Sequence, residues 1–277
     1  MKKIIVPVDF SKHSEFALEA AAILAKKYDT EVLALHMLEL SNALISDTDG
    51  NRQAEAVFFL KLAEQKFIDF LDKPYLKDVN VTPIVKHFKV FSEVNDVAKE
   101  HNADIIIMGS HGSSGIKEVF IGSNTEKVVR HSDIPVLVVK YNPILMDFEN
   151  VVLACDFSKE AIKPYINAKA LFSKLGATLH LVYVNLPGAS FKSSTEMETR
   201  VEDFLKIADG HTDAMEHVHY VSDYSIEKGI LNFASIKGAD LIAVATHGRK
   251  GLAHFFEGSI SEDIANHSTL PVMTFKI

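Results

Sequence analysis

The residues in this chain that could do chemistry cluster in one stretch, Gly109 to Ser123, which reads GSHGSSGIKEVFIGS. An apolar, strand-like run from Asp104 to Met108 leads into it, and a helix-like segment ending near His131 follows. Glycines at 109, 112, 115 and 122 allow positive φ and close approach of the backbone to a ligand. The helix start after Gly122 and Ser123 offers unpaired N–H groups and partial positive charge. That chemistry is anion binding, with a phosphate group as the first candidate. A glycine-rich connection without a ligand is the alternative reading. The stretch is neither a Walker loop, which would need Gly-Lys-Ser/Thr after four variable residues, nor the Gly-x-Gly-x-x-Gly dinucleotide pattern.

Around this loop, elements must bring other groups to the same place. Short apolar runs alternate with helical patterns, the mark of a parallel sheet with crossover helices. Strands are predicted at Ile4–Val8, Glu31–Met37, Thr82–Phe88, Asp104–Gly109 and Pro135–Val139, and helices at about Ser14–Tyr28, Arg52–Leu71, Ser92–His101 and Ser123–His131. Ala56, Phe59, Leu60, Ala63, Phe67 and Phe70 make one apolar face of the second helix. Ligands of open parallel sheets sit beyond the carboxyl ends of the strands, where the strand order reverses. Asp9 after the first strand, His36 and Met37 at the end of the second, and the glycine loop after the fourth therefore converge on one crevice. A carboxylate beside a phosphate loop repels a bare anion but suits a sugar hydroxyl or base edge, which favours a nucleoside phosphate. The alternative for Asp9 is a helix cap, since both Asp9 and Ser11 precede a helix.

The chain then repeats itself. Residues 239–276 align without gaps to 103–140 with fifteen of 38 positions identical, and ENVVLACDFSK at 149–159 matches KKIIVPVDFSK at 2–12. Two copies of one domain follow, 1–141 and 148–277, separated at YNPILMDF. Asp9 and His111 lie 102 positions apart but Asp156 and His247 only 91, so the second copy has a shorter middle. Its strands are expected near Val151, Leu179, Glu216, Leu241 and Val272. The last strand of each copy, IPVLVVK and LPVMTFKI, is apolar and begins with proline. Such edges invite pairing, so an internal pseudo-dimer of the two domains is expected, and a homodimer stays open.

At 277 residues with 47% hydrophobic and 24% charged residues, the composition is that of a globular protein. A net charge of −8 without a basic stripe argues against a nucleic-acid partner. The N-terminus has the pattern of neither a signal peptide nor an anchor, and no apolar run approaches a bilayer span, so a cytoplasmic protein without a membrane partner is expected. Cys155 stands next to Asp156, the wrong neighbour for a reactive thiol, and is read as core. His217 and His219 share a strand face and could bind metal with His211, but no fixed ligand spacing supports this, and no metal site is assigned. His111 and His247 hold the same loop position in both copies, where loop anchoring is simpler than acid-base chemistry. No Gly-x-Ser-x-Gly or nucleophile triad is present.

Gly109, Gly112, Gly122 and Ser123 form the pattern Gly-x2-Gly-x9-Gly-Ser. This resembles the ATP-binding motif of the universal stress protein family, and the resemblance covers nearly the whole chain, once per half. It implies two tandem flavodoxin-like or Rossmann-like α/β domains, each with a five-stranded parallel sheet, and ATP, with or without Mg²⁺, as the ligand. It further implies that Val8 and Asp9 border the nucleoside, that the Met37 backbone meets the adenine edge, that Gly109 lies against the ribose, and that Gly112, Gly122, Ser123 and Asn124 hold the phosphates. The second copy offers Asp156, Val184, Gly248, Gly258 and Ser259 at the matching positions, but Ala245 replaces Gly109 and Glu257 replaces Ile121, while Arg249 and Lys250 add charge of the opposite sign. Nucleotide is therefore expected mainly in the first half. The family resemblance implies a regulatory stress-response module with at most slow ATP hydrolysis. An adenine-nucleotide hydrolase would need a serine- and glycine-rich loop after the first strand, which VDFSK is not; a small-ligand carrier or scaffold is the third reading.

Overall fold

A computed structural model describes residues 1–38, 50–87, 93–110, 122–143, 146, 148–246 and 260–277. The chain divides into two compact units, Met1–Met146 and Asp147–Ile277. The first unit runs β1 (Lys3–Pro7), α1 (Lys12–Tyr28), β2 (Glu31–Leu38), α2 (Gly50–Leu71), β3 (Val81–His87), α3 (Val94–Glu100), β4 (Ile105–Gly109), α4 (Ser123–His131) and β5 (Val136–Val139). The second runs β6 (Asn150–Ala154), α5 (Ile162–Lys174), β7 (Thr178–Asn185), α6 (Ser194–Ala208), β8 (Val218–Ser222), α7 (Ile226–Lys237), β9 (Leu241–Thr246), α8 (Ile260–His267) and β10 (Val272–Lys276). Strand order is β3-β2-β1-β4-β5 in the first unit and β10-β9-β6-β7-β8 in the second, the same arrangement read from opposite ends. The paired strands within each unit are parallel. In both, the order reverses between the first and fourth strands of the unit, which places the crevice at β1/β4 and at β6/β9.

The central strands are buried on both faces: Ile4, Ile5, Ile105, Ile106 and Ile107 are wholly inaccessible, as parallel strands covered by helices must be. Helix α1 forms because Ser11 caps it, its hydroxyl accepting from the Ser14 N–H at 3.3 Å, and because Ala17, Leu18, Ala21, Leu24 and Ala25 give it a continuous buried face. It ends where Asp29 turns left-handed at φ 49° after two lysines that suit the helix's negative end. In α2, Ala63, Phe67 and Phe70 are buried as expected. Leu60 is not: it faces solvent, with Val57, Phe58 and Ile68.

The duplication extends to side-chain devices that carry no sequence signature beyond a single residue. Asp104 Oδ2 accepts from the Lys2 and Lys3 N–H groups and so clamps the start of β1; Asp240 Oδ2 does the same at Glu149 and Asn150 for β6. Ser132 and Ser268 each bond both to the carbonyl and to the N–H two residues on. Phe10 and Phe157 both stand at positive φ, 64° and 52°, an uncommon conformation for so bulky a residue. Each sets its ring against the second helix of its unit, 5.2 Å from Phe67 of α2 and from Phe204 of α6 respectively. The strain of the left-handed turn is thereby offset by burial of an aromatic ring.

The β8 region differs from its expectation. The residues around Glu216 form a 3-10 turn, Asp213–His217, and the strand begins only at Val218. His219 finds a partner that its own segment does not reveal. Its Nε2 lies 3.4 Å from Nδ1 of His180 on β7, its ring stacks 4.8 Å from Phe233, and His180 Nε2 lies 3.4 Å from Asn150 Oδ1. The Asn oxygen can only accept, so His180 carries its proton on Nε2 and accepts at Nδ1 from His219. Burial first, then Lys237 and His217, holds His180 below its ordinary value; burial, Lys237, His180 and His217 do so for His219. The unfolded chain thus binds these protons more readily than the folded one. Stability is complete above the unfolded value of about 6.5 and is lost as pH falls from there through the folded values. Denaturant unfolding at about pH 5.5 should show lower stability than at about pH 7.5, and His219→Gln should flatten the difference. Among the described residues no three His, Cys, Asp or Glu side chains are grouped to hold a metal ion, and no helix is long and apolar enough to cross a membrane.

Candidate functional site

The crevice of the first unit is built from the ends of three adjacent strands, β2, β1 and β4. In a parallel strand, alternate residues direct their N–H and C=O to alternate neighbours. The Glu31 N–H donates to Lys2 O and Leu35 O accepts from the Val8 N–H at 2.8 Å, so Glu31, Leu33, Leu35 and Met37 face β1, whereas Val32, whose N–H donates to Asn80 O, faces β3. Strand β1 ends at Pro7, with its last register pair at Leu35. The main chain of Met37 therefore points to the side of β2 from which β1 has already departed. The same holds in the second unit. The Thr178 N–H donates to Glu149 O and Val182 O accepts from the Cys155 N–H, so Val184 faces β6 beyond its end at Ala154. An N–H and a C=O held side by side on such an edge match the hydrogen-bonding edge of a planar heterocycle.

The turn after β1 is fixed from three sides. Asp9 Oδ1 accepts from the Ser11 N–H at 3.0 Å, so Asp9 shapes the turn while Ser11 caps the helix, dividing the two capping roles that the sequence left open. His36 Nδ1 lies 2.8 Å from Val8 O; a carbonyl only accepts, so Nδ1 bears the proton. Burial, partly countered by that hydrogen bond, lowers the His36 pKa, and nearby Lys66 lowers it further. The ring stacks 4.5 Å from Phe10. These contacts make His36 a support for Val8 rather than an acid or base.

On the other side of the reversal, β4 ends at Gly109 and the loop that follows is closed at its base. The Gly122 N–H donates to Ser110 O at 2.6 Å and the Ser110 N–H to Val139 O at 2.9 Å. Buried Thr125 reaches back from α4 to Gly109 O at 2.8 Å. Helix α4 is capped by Gly122, whose φ −60° and ψ 144° are those of an N-cap residue but which has no side chain to accept from the first turn. Ser123 and Asn124 of that turn are exposed. Glu126, the acid of the first turn, pairs with Arg130. Among the described residues the helix start thus has no side-chain cap, and its nearest acid is occupied, the electrostatics expected of an anion site.

Gly109 has a reason of its own. A Cβ built there would lie 2.5 Å from the carbonyl oxygen of His13 and 2.6 Å from its carbonyl carbon, so the first turn of α1 packs directly on the strand. The second unit, with Ala245 at this position, begins its helix late: α1 starts three residues after Asp9, whereas α5 starts six residues after Asp156. Over the same stretch the second unit makes three-residue turn bonds, Ala161 N–H to Ser158 O at 3.1 Å and Ile162 N–H to Lys159 O at 3.3 Å, in place of the α-helical turn that forbids a methyl group in the first.

Gly112, Gly115, His111, Gly248, Gly258, Ser259, Glu257, Arg249, Lys250 and His247 lie outside the described residues. Val8, Asp9, Met37, Gly109, Gly122, Ser123 and Asn124 all fall at the carboxyl ends of β1, β2 and β4 or at the start of α4. Phe10 and Thr125 were not anticipated. Phe10 gives no signal beyond a bulky residue in the turn Asp-Phe-Ser, and Thr125 gives only its place one turn into a helix.

The family model of the universal stress protein family matches residues 1–140 and again 147–276. The chain belongs to the universal stress protein family. Each half matches that family's model separately, so the protein is a tandem universal stress protein. It is 33% identical over 153 residues to universal stress protein MJ0577 of Methanocaldococcus jannaschii, spanning 50% of this chain and 94% of that protein. It is 29% identical over 152 residues to universal stress protein YxiE of Bacillus subtilis, spanning 50% of this chain and 98% of that protein. A solved universal stress protein from Archaeoglobus fulgidus superposes with a TM-score of 0.65 at 25% identity, covering 99% of this chain and 96% of that one.

Within this universal stress protein the second crevice is altered. Asp156 Oδ1 accepts from the Ser158 N–H at 2.9 Å, copying Asp9, but the Asp156 carbonyl also accepts from Arg200 Nε at 2.8 Å. Val184 packs its side chain against Gly229, where an added Cβ would come within 2.8 Å. Cys155 is buried with its thiol pushed up to about 12, by burial first and by Asp156 in part, which makes it a core residue.

Proposed function

We propose that the first unit binds ATP and that the protein is a cytoplasmic, nucleotide-binding stress-response module rather than an efficient enzyme. The observation that carries this reading is the main chain of Met37, opened toward the crevice where β1 stops. It is joined by the uncapped start of α4 at the end of the neighbouring strand β4. The Met37 N–H and C=O fit the adenine edge, the Val8–Asp9 turn fits the ribose, and the Gly122, Ser123 and Asn124 main chain fits the phosphates. Three charge-assisted hydrogen bonds to phosphate, each worth about 1.5–3 kcal/mol, suffice for roughly micromolar affinity after the cost of association. Magnesium would arrive as the counter-ion of the nucleotide.

The second unit is proposed to bind ATP weakly or not at all, because Ala245 and the late start of α5 change the end of β9 and the turn after β6 together. Calorimetric titration of the intact chain with ATP is expected to give one tight site, and turnover is expected below about one per second because the sequence supplies no Walker lysine. Two equal sites, or rapid turnover, would overturn the proposal.

A further inference from the structure

The second unit differs from the first in a way that the nucleotide reading does not use. A groove of about 620 Å³ opens between the turn after Asp156 and helix α6, floored by Phe157 and Phe204 and walled by Ile162. This volume is within the range of about 300–1,000 Å³ typical of small-molecule sites. None of Asp156, Val184 and Ala245 lines it. Three cations do: Lys159, Lys192 and Arg200. Among the described residues none of the three forms an ion pair.

The first unit shows what was changed. There Lys12, the counterpart of Lys159, pairs with Glu15 at 3.3 Å, and Glu15 also holds Lys73 at 3.1 Å. The residue matching Glu15 is Ile162, so the second unit loses the acid, releases the lysine and gains an apolar wall. Phe67 and Phe204 occupy corresponding places against Phe10 and Phe157, which sets Arg200 opposite Ala63, a buried methyl in the first unit. Arg200 is oriented by its Nε bond to Asp156 O, leaving the outer guanidinium nitrogens to meet a ligand. Two acids share the groove. Glu196 is occupied by the Ser193 N–H and hydroxyl, both at 2.8 Å, in a capping box, so Asp203 is the acid that opposes the cations.

We infer that this groove is a binding site of the second unit for a small organic anion, with its phosphate or carboxylate on Arg200, Lys159 and Lys192 and its apolar body against Ile162, Phe157 and Phe204. The site is separate from the nucleotide crevice of the first unit. The test is a titration of phenyl phosphate, benzoate and inorganic phosphate into the intact chain with labelled isoleucine methyl groups, read at Ile162 and at Ile207, which also lines the groove. Phenyl phosphate is expected to move both signals saturably and inorganic phosphate to bind more weakly. Arg200→Ala and Lys192→Ala are each expected to weaken binding about tenfold or more. Gly122→Asp, which removes the first-unit site, should leave the titration unchanged. Benzoate binding more tightly than phenyl phosphate would assign a carboxylate ligand, and weaker binding a phosphate. Absence of saturable shifts with both aromatic anions, undiminished binding by Arg200→Ala, or loss of the shifts in Gly122→Asp would overturn the assignment.

Discussion

Replacing Gly122 with Asp is expected to abolish ATP binding by the first unit while leaving the fold as stable as before, or slightly more so. Gly122 sits at φ −60° and ψ 144°, where any residue fits and where Asp is among the preferred helix caps. Its carboxylate would accept from the first-turn N–H groups of α4, for a gain of a few tenths of a kcal/mol over glycine. Those are the groups that the phosphates are proposed to use, so the variant fills the site with its own anion. The remaining charge repels a polyphosphate by about 1–4 kcal/mol per unit charge at 4 Å, depending on exposure. Together the two effects should weaken binding by roughly 100-fold or more. Calorimetry reads the loss of binding and thermal melting reads the new cap. ATP titrating the variant as it does the parent would dismiss the phosphate assignment, and a lowered melting point would dismiss the cap geometry.

What the sequence showed and what it hid divide along the range of the interaction. The repeat, the alternation of strands and helices, and the places of Asp9, Met37 and Gly109 at the ends of neighbouring strands were legible because each rests on local pattern plus the reversal rule of open sheets. Features that depend on a residue distant in the chain were not. Gly109 reads as a ligand-binding glycine, yet its closest neighbour is the His13 backbone in α1, and no pattern within the loop could announce that. By spacing His219 groups with its neighbours His217 and His211, whereas its partner is His180, supplied by the pairing of β8 with β7. Leu60 fits the apolar spacing of α2 but lies outside the arc that Ala63, Phe67 and Phe70 bury. The late start of α5 was hidden for the opposite reason. Its turn repeats the Asp-Phe-Ser-Lys of the first copy, and the difference lies just after it: Pro164 stands where the first copy has Ala17 and has no N–H to give to a preceding helical turn.

Gly109→Ala is the variant that separates the two reasons for this glycine. If the residue is glycine only so that a ribose can approach, the added methyl lowers ATP affinity and leaves the apo protein unaffected. The geometry predicts otherwise. With Cβ 2.5 Å from His13 O and 2.6 Å from His13 C, the obstruction is backbone, which no rotamer change relieves. The first turn of α1 must move or unwind. Overpacking of this kind costs about 1–3 kcal/mol and more where backbone is displaced, which lowers the melting temperature of the first unit by roughly 5–10 °C. Because that turn carries Asp9 and the Ser11 cap, and Val8 is tied to it through His36, ATP affinity should fall in the same variant. The reciprocal change, Ala245→Gly, meets no such turn, since α5 begins only at Ile162, and should cost no more than the about 1 kcal/mol lost to added backbone freedom. It should not by itself create a second ATP site, because the later helix start remains. A Gly109→Ala protein that melts with the parent would show that α1 does not press on β4 as described, and would return Gly109 to the ligand alone.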